Sequence, residues 1–322
     1  KINYKNFAKE VVAKEIESLK KLKYSINESF NNAVKAIINC KGKCVTSGIG
    51  KSGIIASKIA SSLSSVGTPS FYLNAASCAH GDIGAITSND VLILISNSGD
   101  TNELKPLIQY ASRNKKITLI GITSRKESLL YKNSNIKILY PNSKEADPYN
   151  IVPTSSTTTQ LVIGDALCLS TMKQRKFGRI EFRKFHSGGH LGQKLKTVED
   201  LMIKKNKLPI VQENRTMTES LKILNNKKLG VVIVIKKGKT VGILVDGDIK
   251  RASQKNKDLH RVKIKKIMTK KPISVDKNML AAEALSIMNS KKVTCLCVHQ
   301  KKLKTKTIGL IHVHHILNSN IN

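Results

Sequence analysis

The stretch TSGIGKSG (residues 46–53) lies between the short apolar run KCVTS and a helical pattern over residues 51–66. Glycines between a strand and a helix allow a tight turn, and the free N–H groups of a helix start attract anions. The same order of elements continues from residue 43 to residue 172, where apolar runs of strand length alternate with helical patterns. Alternating strands and helices form a parallel sheet covered on both faces. The sequence therefore predicts an α/β fold here, preceded by two helices over residues 3–40.

Two nucleotide-binding motifs resemble this stretch, but neither fits its context. GIGKSG matches the G-x-G-x-x-G pattern of a dinucleotide-binding turn, which needs an acidic residue about 20 positions later. Residues 70–76 are SFYLNAA, and the next acidic residue is Asp82. A P-loop needs a glycine where Val45 stands, ahead of Lys51. What remains is a structural turn or a binding site for a small anion.

Two further clusters of hydroxyl side chains come directly before predicted helices. SNSGDT (96–101) follows the apolar run VLILI, and TSSTTT (154–159) precedes the last helix of this region. Open parallel sheets bind ligands at the carboxyl ends of their strands, where these clusters meet TSGIGKSG. Ser and Thr at a helix start also serve as N-caps, so each cluster alone has a structural interpretation. Several clusters on one edge, without a stacking aromatic, favour a small phosphorylated ligand over a nucleotide.

The composition argues against several classes of protein. The formal charge is +34, but only eight of the 56 basic residues are arginine, aromatic residues make up 4% and tryptophan is absent. Specific nucleic-acid binding favours arginine forks and aromatic stacking, so we predict no specific nucleic-acid partner. No apolar run approaches the roughly 20 residues of a membrane span, and the N-terminus has no signal-peptide pattern, which predicts a cytoplasmic protein without a membrane partner. The six cysteines form no CxxC pair, so we expect reduced thiols.

The second half of the chain contains an internal repeat. VEDLM (198–202) recurs as IKKIM (264–268), and GKTVGILVDGDIKR (238–251) is matched by KTIGLIHVHHIL (306–317). The nearly constant offset predicts two tandem copies of one small α/β unit, which pair to bury their sheets. Residues 174–197 are polar and basic, and we expect them to form a connecting segment.

Five segments together carry a resemblance to a known family. They are SGIGKSG, CAHGD (78–82), ISNSGDTNEL (95–104), PTSSTTTQLVIGDAL (153–167) and HSGGHLG (186–192). In this order they resemble the sugar isomerase (SIS) family, and within it the arabinose 5-phosphate isomerases. The tandem repeat is similar to the paired CBS domains of that family. The resemblance implies a flavodoxin-like SIS sandwich followed by a CBS pair, with these bounds: SIS domain 1–180, linker with His186 181–197, first CBS domain 198–257, second CBS domain 258–322.

The resemblance also implies the activity. It predicts an aldose–ketose isomerase that interconverts D-ribulose 5-phosphate and D-arabinose 5-phosphate through an enediolate, the first step of Kdo biosynthesis for lipopolysaccharide or capsule. No cofactor and no metal are expected, because the proton shift needs neither redox chemistry nor an electron sink. A homotetramer is expected, with His80 or His186 reaching a neighbouring subunit's site. Two alternatives stay open: a non-catalytic phosphosugar sensor, and an isomerase of another sugar phosphate.

Aldose–ketose isomerisation needs a phosphate anchor, acid–base groups and stabilisation of the enediolate oxygens. The resemblance places these roles on two sets of residues. The predicted catalytic set is Lys51, Glu103, Glu145 and His186, and the predicted substrate-binding set is Ser52, His80, Ser96, Ser98, Thr101, Ser155, Ser156 and Thr157. Which of these groups abstracts the proton is left open.

Four positions depart from the family pattern, and one of them is His190, where the family usually has a small residue. The HPGG segment of the family is HSGG here, which makes the chain after His186 less stiff. Val245 replaces a threonine whose hydroxyl contacts nucleotide phosphates in CBS modules, and His315 replaces a ribose-binding aspartate, whereas Asp246 and Asp248 remain. A nucleotide or nucleotide-sugar effector at the CBS pair is therefore an open prediction.

Overall fold

The computed structural model describes residues 3–185, 189–255, 258–300, 305–319 and 321. The chain separates into two compact units, Lys1–Phe185 and His186–Asn322. The predicted catalytic residue His186 lies outside the described residues. Within the part of the chain that is described, no helix is both long and apolar enough to cross a membrane.

Unit 1 has the alternation of strands and helices that the sequence predicts. The side-chain oxygens of Asn3 and Asn27 accept hydrogen bonds from backbone N–H groups at the starts of the first two helices. These residues are the N-caps of the two helices. The elements are α1 (Tyr4–Ser25), α2 (Glu28–Asn39), β1 (Cys44–Ser47), α3 (Gly50–Ser65), β2 (Ser70–Tyr72), α4 (Ala75–Cys78), β3 (Val91–Ile95), α5 (Lys105–Arg113), β4 (Thr118–Thr123), α6 (Leu129–Asn133), β5 (Ile136–Leu139), α7 (Ser155–Gln174) and α8 (Arg179–Phe185).

The five strands of unit 1 form one parallel sheet in the order β2-β1-β3-β4-β5. Both faces are covered, as the side chains of β3 show. Ile93 and Ile95 pack on the layer of α1, α2, α3 and α7, whereas Leu92 and Leu94 pack on the layer of α4, α5 and α6. The prediction of a flavodoxin-like α/β sandwich is confirmed.

The order of the strands reverses between β1 and β3, which are neighbours in the sheet but not in the sequence. Chains that leave neighbouring strands toward opposite faces open a crevice at their carboxyl ends, and ligands of such sheets bind there. TSGIGKSG follows β1 and SNSGDT follows β3. The topology therefore places both predicted loops at this crevice.

Unit 2 contains the predicted tandem repeat. Its elements are α9 (Gly189–Lys194), α10 (Val198–Leu201), β6 (Ile203–Lys204), β7 (Ile210–Gln212), α11 (Met217–Lys227), β8 (Val231–Lys236), β9 (Lys239–Val245), α12 (Asp246–Ser253), β10 (Thr269–Lys270), β11 (Ser274–Asp276), α13 (Ala281–Lys291), β12 (Cys295–His299), β13 (Gly309–His312) and α14 (Val313–Leu317). The segment that we expected to be only a connection also carries two short helices, α8 and α9.

The two repeats exchange their first strands. β6, at the start of the first repeat, pairs with β13, and β10, at the start of the second, pairs with β9. Each repeat thereby completes the other's four-stranded sheet. Ile233 of the first sheet shares one apolar cluster with Cys295 and Cys297 of the second. The repeats bury their sheets against each other, and these cysteines are free thiols inside that core.

Candidate active site

A cleft of about 360 Å³ lies beside the carboxyl ends of the strands in unit 1. Four of the predicted residues line it, namely Lys51, Ser52, Glu145 and Ser156. The same cleft is lined by Asn97 and Arg125, which the sequence analysis did not single out, and by the segment from residue 142 to residue 153. The cleft is polar, as a phosphosugar site requires.

The glycines of TSGIGKSG let β1 and α3 approach each other closely. A Cβ atom at Gly53 would lie 2.7 Å from the carbonyl oxygen of Gly48 and 2.9 Å from the Tyr72 hydroxyl. That hydroxyl donates to the Gly48 carbonyl over 3.0 Å. The turn therefore requires glycine for packing, while Lys51 and Ser52, in the first turn of α3, are presented to the cleft.

The hydroxyl groups of SNSGDT converge on one another. The Oγ atoms of Ser96 and Ser98 lie 3.4 Å apart, and Ser96 Oγ lies 2.8 Å from Thr101 Oγ1. Ser96 Oγ also accepts a bond from the Gly99 amide over 2.9 Å. The loop is anchored to α6, because an Asp100 carboxylate oxygen accepts from the amide of Leu129 over 2.8 Å. The structure brings these three predicted hydroxyls together as one cluster.

Glu145 holds the start of helix α7. Its Oε2 accepts from the amide of Thr154 over 2.8 Å, from the Thr154 hydroxyl over 3.1 Å and from the amide of Ser156 over 3.2 Å. A carboxylate at a helix N-terminus satisfies free N–H groups and complements the helix dipole. Oε1 accepts no hydrogen bond from the residues that the structure describes. One oxygen of this buried carboxylate is thus fixed, and the other remains available to the cleft.

The remaining members of the TSSTTT cluster differ in their surroundings. Ser155 is fully buried, and within the described part of the chain its hydroxyl has no hydrogen-bond partner. The Thr157 hydroxyl donates to the Thr154 carbonyl over 2.9 Å, which is a local N-terminal contact of α7. Of the three predicted members Ser155, Ser156 and Thr157, only Ser156 lines the cleft.

Apart from members of the hydroxyl clusters, two of the predicted residues that the structure describes, Glu103 and His80, do not line the cleft. Glu103 is exposed in the short 3-10 turn Asn102–Leu104, and it does not line the cleft. His80 is exposed in the loop between α4 and β3. His186 lies outside the described residues.

Arg125 is the residue that the sequence analysis missed most clearly. It follows β4 and lines the cleft together with Lys51, and both residues are exposed. The signal was available, because GITSR ends a predicted strand and places a cation at its carboxyl end. Among the described residues, no group of three or more His, Cys, Asp or Glu side chains could hold a metal ion.

Comparison with known proteins identifies the family. A model of the SIS domain matches residues 37–170, and a model of the CBS domain matches residues 198–255 and 264–321. The chain is 37% identical to arabinose 5-phosphate isomerase KdsD of Yersinia pestis, over 99% of this chain and 97% of the relative. The chain belongs to the sugar isomerase (SIS) family. It has the form of that family that carries a tandem CBS pair.

Other SIS relatives agree with this assignment. Arabinose 5-phosphate isomerase KdsD of Francisella tularensis is 37% identical, over 97% of this chain and 96% of the relative. Among solved structures, a protein of E. coli CFT073 in complex with arabinose 5-phosphate is 34% identical with a TM-score of 0.55. That match covers 58% of this chain and all of the solved chain. The SIS and CBS parts that the sequence predicted are therefore both confirmed.

Proposed function

We propose that the chain is an arabinose 5-phosphate isomerase that interconverts D-ribulose 5-phosphate and D-arabinose 5-phosphate. The observation that carries this proposal is the 37% identity to a curated arabinose 5-phosphate isomerase over 99% of the chain. The cleft supports it, since it combines two cations, hydroxyl groups and a buried carboxylate at the ligand-binding edge of the sheet.

The phosphate of the substrate binds between Lys51 and Arg125 in this proposal. Ser52 lies beside Lys51 in the first turn of α3, where N–H groups without helical partners also attract an anion. A guanidinium and an ammonium on one cleft supply charge-assisted hydrogen bonds to phosphate oxygens. The clustered hydroxyls of Ser96, Ser98 and Thr101, in the loop whose Asn97 lines the cleft, are proposed to bind the phosphate as well.

The chemistry requires one proton to move between C1 and C2. From the aldose, a base removes the C2 proton as the C1 oxygen gains one, which gives the enediol. Return of a proton to C1, as the C2 hydroxyl loses its proton, gives the ketose. Glu145 suits the proton-transfer role, because Oε2 is fixed by three donors while Oε1 faces no donor among the described residues. Glu103 and His186 stay in the proposed acid–base set. The shift is redox-neutral within the sugar, so the reaction balances without a cofactor.

The test follows D-ribulose 5-phosphate by NMR in deuterated water. The proposal expects D-arabinose 5-phosphate to form with deuterium at C2. Binding of the sugar without product or exchange would instead indicate a phosphosugar sensor. Conversion of a different pentose or hexose phosphate at a higher kcat/KM would assign another substrate. Each result separates this proposal from one of its alternatives.

We also propose that the chain forms a homotetramer. Large apolar side chains are exposed on three helices of unit 1, with Phe7 and Ile16 on α1, Ile54 on α3 and Leu169 on α7. Exposed apolar patches mark interaction sites, and further copies of the chain would cover them. His80 would then meet a neighbouring subunit's cleft. Light scattering should give four times the chain mass of 35.5 kDa, and a monomer would contradict the proposal.

For the CBS pair we propose a nucleotide or nucleotide-sugar effector. Asp248 is buried, and its carboxylate accepts from the Arg251 guanidinium and, over 3.0 Å, from the Thr269 hydroxyl. Asp246 is exposed at the first residue of α12, so it is the carboxylate available to ribose hydroxyls. Thermal shifts with AMP and UDP-glucose test this proposal, with Asp246→Asn as the variant that should lose the shift. The proposed cellular role, in the cytoplasm at the first step of Kdo biosynthesis, follows from the reaction.

A further inference from the structure

A hydrogen-bonded network of three polar side chains lies behind the cleft, from helix α7 to the loop after β3. Nε2 of Gln160 donates to the Tyr140 hydroxyl over 2.8 Å, and that hydroxyl donates to Oδ1 of Asn97 over 2.9 Å. Tyr140 is 2% exposed and Gln160 is fully buried, whereas Asn97 is half-buried and lines the cleft. This network therefore connects the interior of unit 1 to the wall of the cleft.

The direction of these bonds fixes the side-chain amide of Asn97. A phenol carries one proton, and Gln160 already donates to its oxygen, so the proton of Tyr140 goes to Asn97. The backbone of Asn97 is fixed as well, because its carbonyl accepts from the Ser124 hydroxyl over 2.8 Å. Among the described residues, none accepts a hydrogen bond from Nδ2 of Asn97. Nδ2 is thereby left as a donor at the cleft.

One atom of this hydrogen-bonded network is unfavourable for folding. Oε1 of Gln160 is buried and has no hydrogen-bond partner among the residues that the structure describes, and a buried polar atom without a partner destabilises the folded state. An apolar side chain of similar volume would avoid this. Burial also raises the pKa of Tyr140 well above its usual range, which keeps the phenol protonated as a donor. The unfavourable burial of the Gln160 oxygen indicates that the network serves the cleft rather than the stability of the fold.

We propose that Tyr140 and Gln160 are positioning residues that hold the amide of Asn97 so that its Nδ2 binds an oxygen of the sugar phosphate. Neither residue lines the cleft, so both act through Asn97. This inference rests on the proposed function, because the ligand that it names is the substrate of the proposed isomerase.

The experiment is a double-mutant cycle in the full chain, with kcat/KM for D-arabinose 5-phosphate as the readout. Tyr140→Phe removes only the hydroxyl, and it should lower kcat/KM about fivefold, the usual effect of losing one neutral hydrogen bond. In the Asn97→Ala background it should lower kcat/KM no further, because the amide that it positions is gone. The same fivefold loss in both backgrounds, or no loss in the wild-type background, overturns the inference.

Tyr110→Phe is the matched control. The Tyr110 hydroxyl donates to the Ile86 carbonyl over 3.2 Å, and Tyr110 does not line the cleft. This variant loses a hydrogen bond of the same kind, and its kcat/KM should match that of the wild type. A loss equal to that of Tyr140→Phe would mean that any lost tyrosine hydroxyl impairs the enzyme, and it overturns the inference.

Crystal structures of the wild type and of Tyr140→Phe give a readout that does not depend on turnover. The Asn97 amide should be rotated in the variant, and an unchanged orientation overturns the inference. A wild-type chain that fails to convert D-arabinose 5-phosphate refutes the proposed function instead. In that case the orientation of Asn97 still decides whether Tyr140 positions it.

Discussion

Replacing Gly99 with alanine perturbs the SNSGDT loop at its most constrained residue. Gly99 has φ +70°, a left-handed conformation that costs other residues about 1–2 kcal/mol. A Cβ atom there would also lie 2.2 Å from the Ser128 hydroxyl and 2.7 Å from the Thr123 hydroxyl. Forcing an extra methyl into a packed site costs about 1–3 kcal/mol. Gly99→Ala should therefore lower the free energy of unfolding by about 2–5 kcal/mol.

The assay for Gly99→Ala is urea unfolding of the full chain, with Gly50→Ala as the matched control. Gly50 has φ +57°, in the same unit, but the added Cβ would have no atom of another described residue within 4 Å, apart from its chain neighbours and its own helix backbone. The control should lose only the conformational contribution of about 1–2 kcal/mol. Equal losses for the two variants would refute the argument, because the contacts with Ser128 and Thr123 would then contribute nothing.

Gly99→Ala should also impair turnover. The Gly99 amide donates to Ser96 Oγ, so a shifted residue 99 displaces the hydroxyl cluster that we propose for phosphate binding. Misplacing a binding group by about 1 Å can cost roughly a hundredfold in rate. We expect kcat/KM to fall at least tenfold in protein that is still folded, on the scale of that effect.

Three further predictions concern single side chains. Glu145→Gln should lower the free energy of unfolding by about 1–2 kcal/mol, because the amides at the start of α7 lose a charged acceptor, and unchanged urea stability would contradict the capping role. Arg125→Gln should raise KM for D-arabinose 5-phosphate at least tenfold with little change in kcat, since a charge-assisted bond contributes about 1.5–3 kcal/mol, and an unchanged KM would remove Arg125 from the phosphate site. A hydrogen bond from the Cys44 thiol lowers the pKa of Cys40 to about 6, so alkylation of Cys40 should already reach its plateau near neutral pH. Cys44→Ala should raise the pH midpoint of Cys40 alkylation, which mass spectrometry at a series of pH values measures. An unchanged midpoint would contradict the role of the Cys44 thiol.

The fold was predictable because its signals are local. Strand-length runs such as VLILI (91–95) and the glycine turn at 46–53 define the parallel sheet, and the strand ends place TSGIGKSG and SNSGDT on one edge. The tandem repeat was equally visible, since its offset is nearly constant. The exchange of β6 and β10 between the repeats was not, because strands of two residues carry no periodic signal.

The site was predictable only in part. The loops were found, but the contacts inside them depend on long-range geometry. Glu145 accepts hydrogen bonds from the amides of Thr154 and Ser156. The loop that connects these residues has no periodic sequence pattern from which the contact could be predicted. Asn97 was passed over as a polar residue between two serines, and its link to Tyr140 spans 43 positions. Such a contact cannot be inferred from spacing along the chain.

The central claim is that this chain moves a proton between C1 and C2 of a pentose 5-phosphate. Incubation of the wild-type chain with D-ribulose 5-phosphate in deuterated water, followed by NMR, tests it most directly. We expect D-arabinose 5-phosphate that carries deuterium at C2. A spectrum that shows only unlabelled D-ribulose 5-phosphate, after binding has been demonstrated, would contradict it.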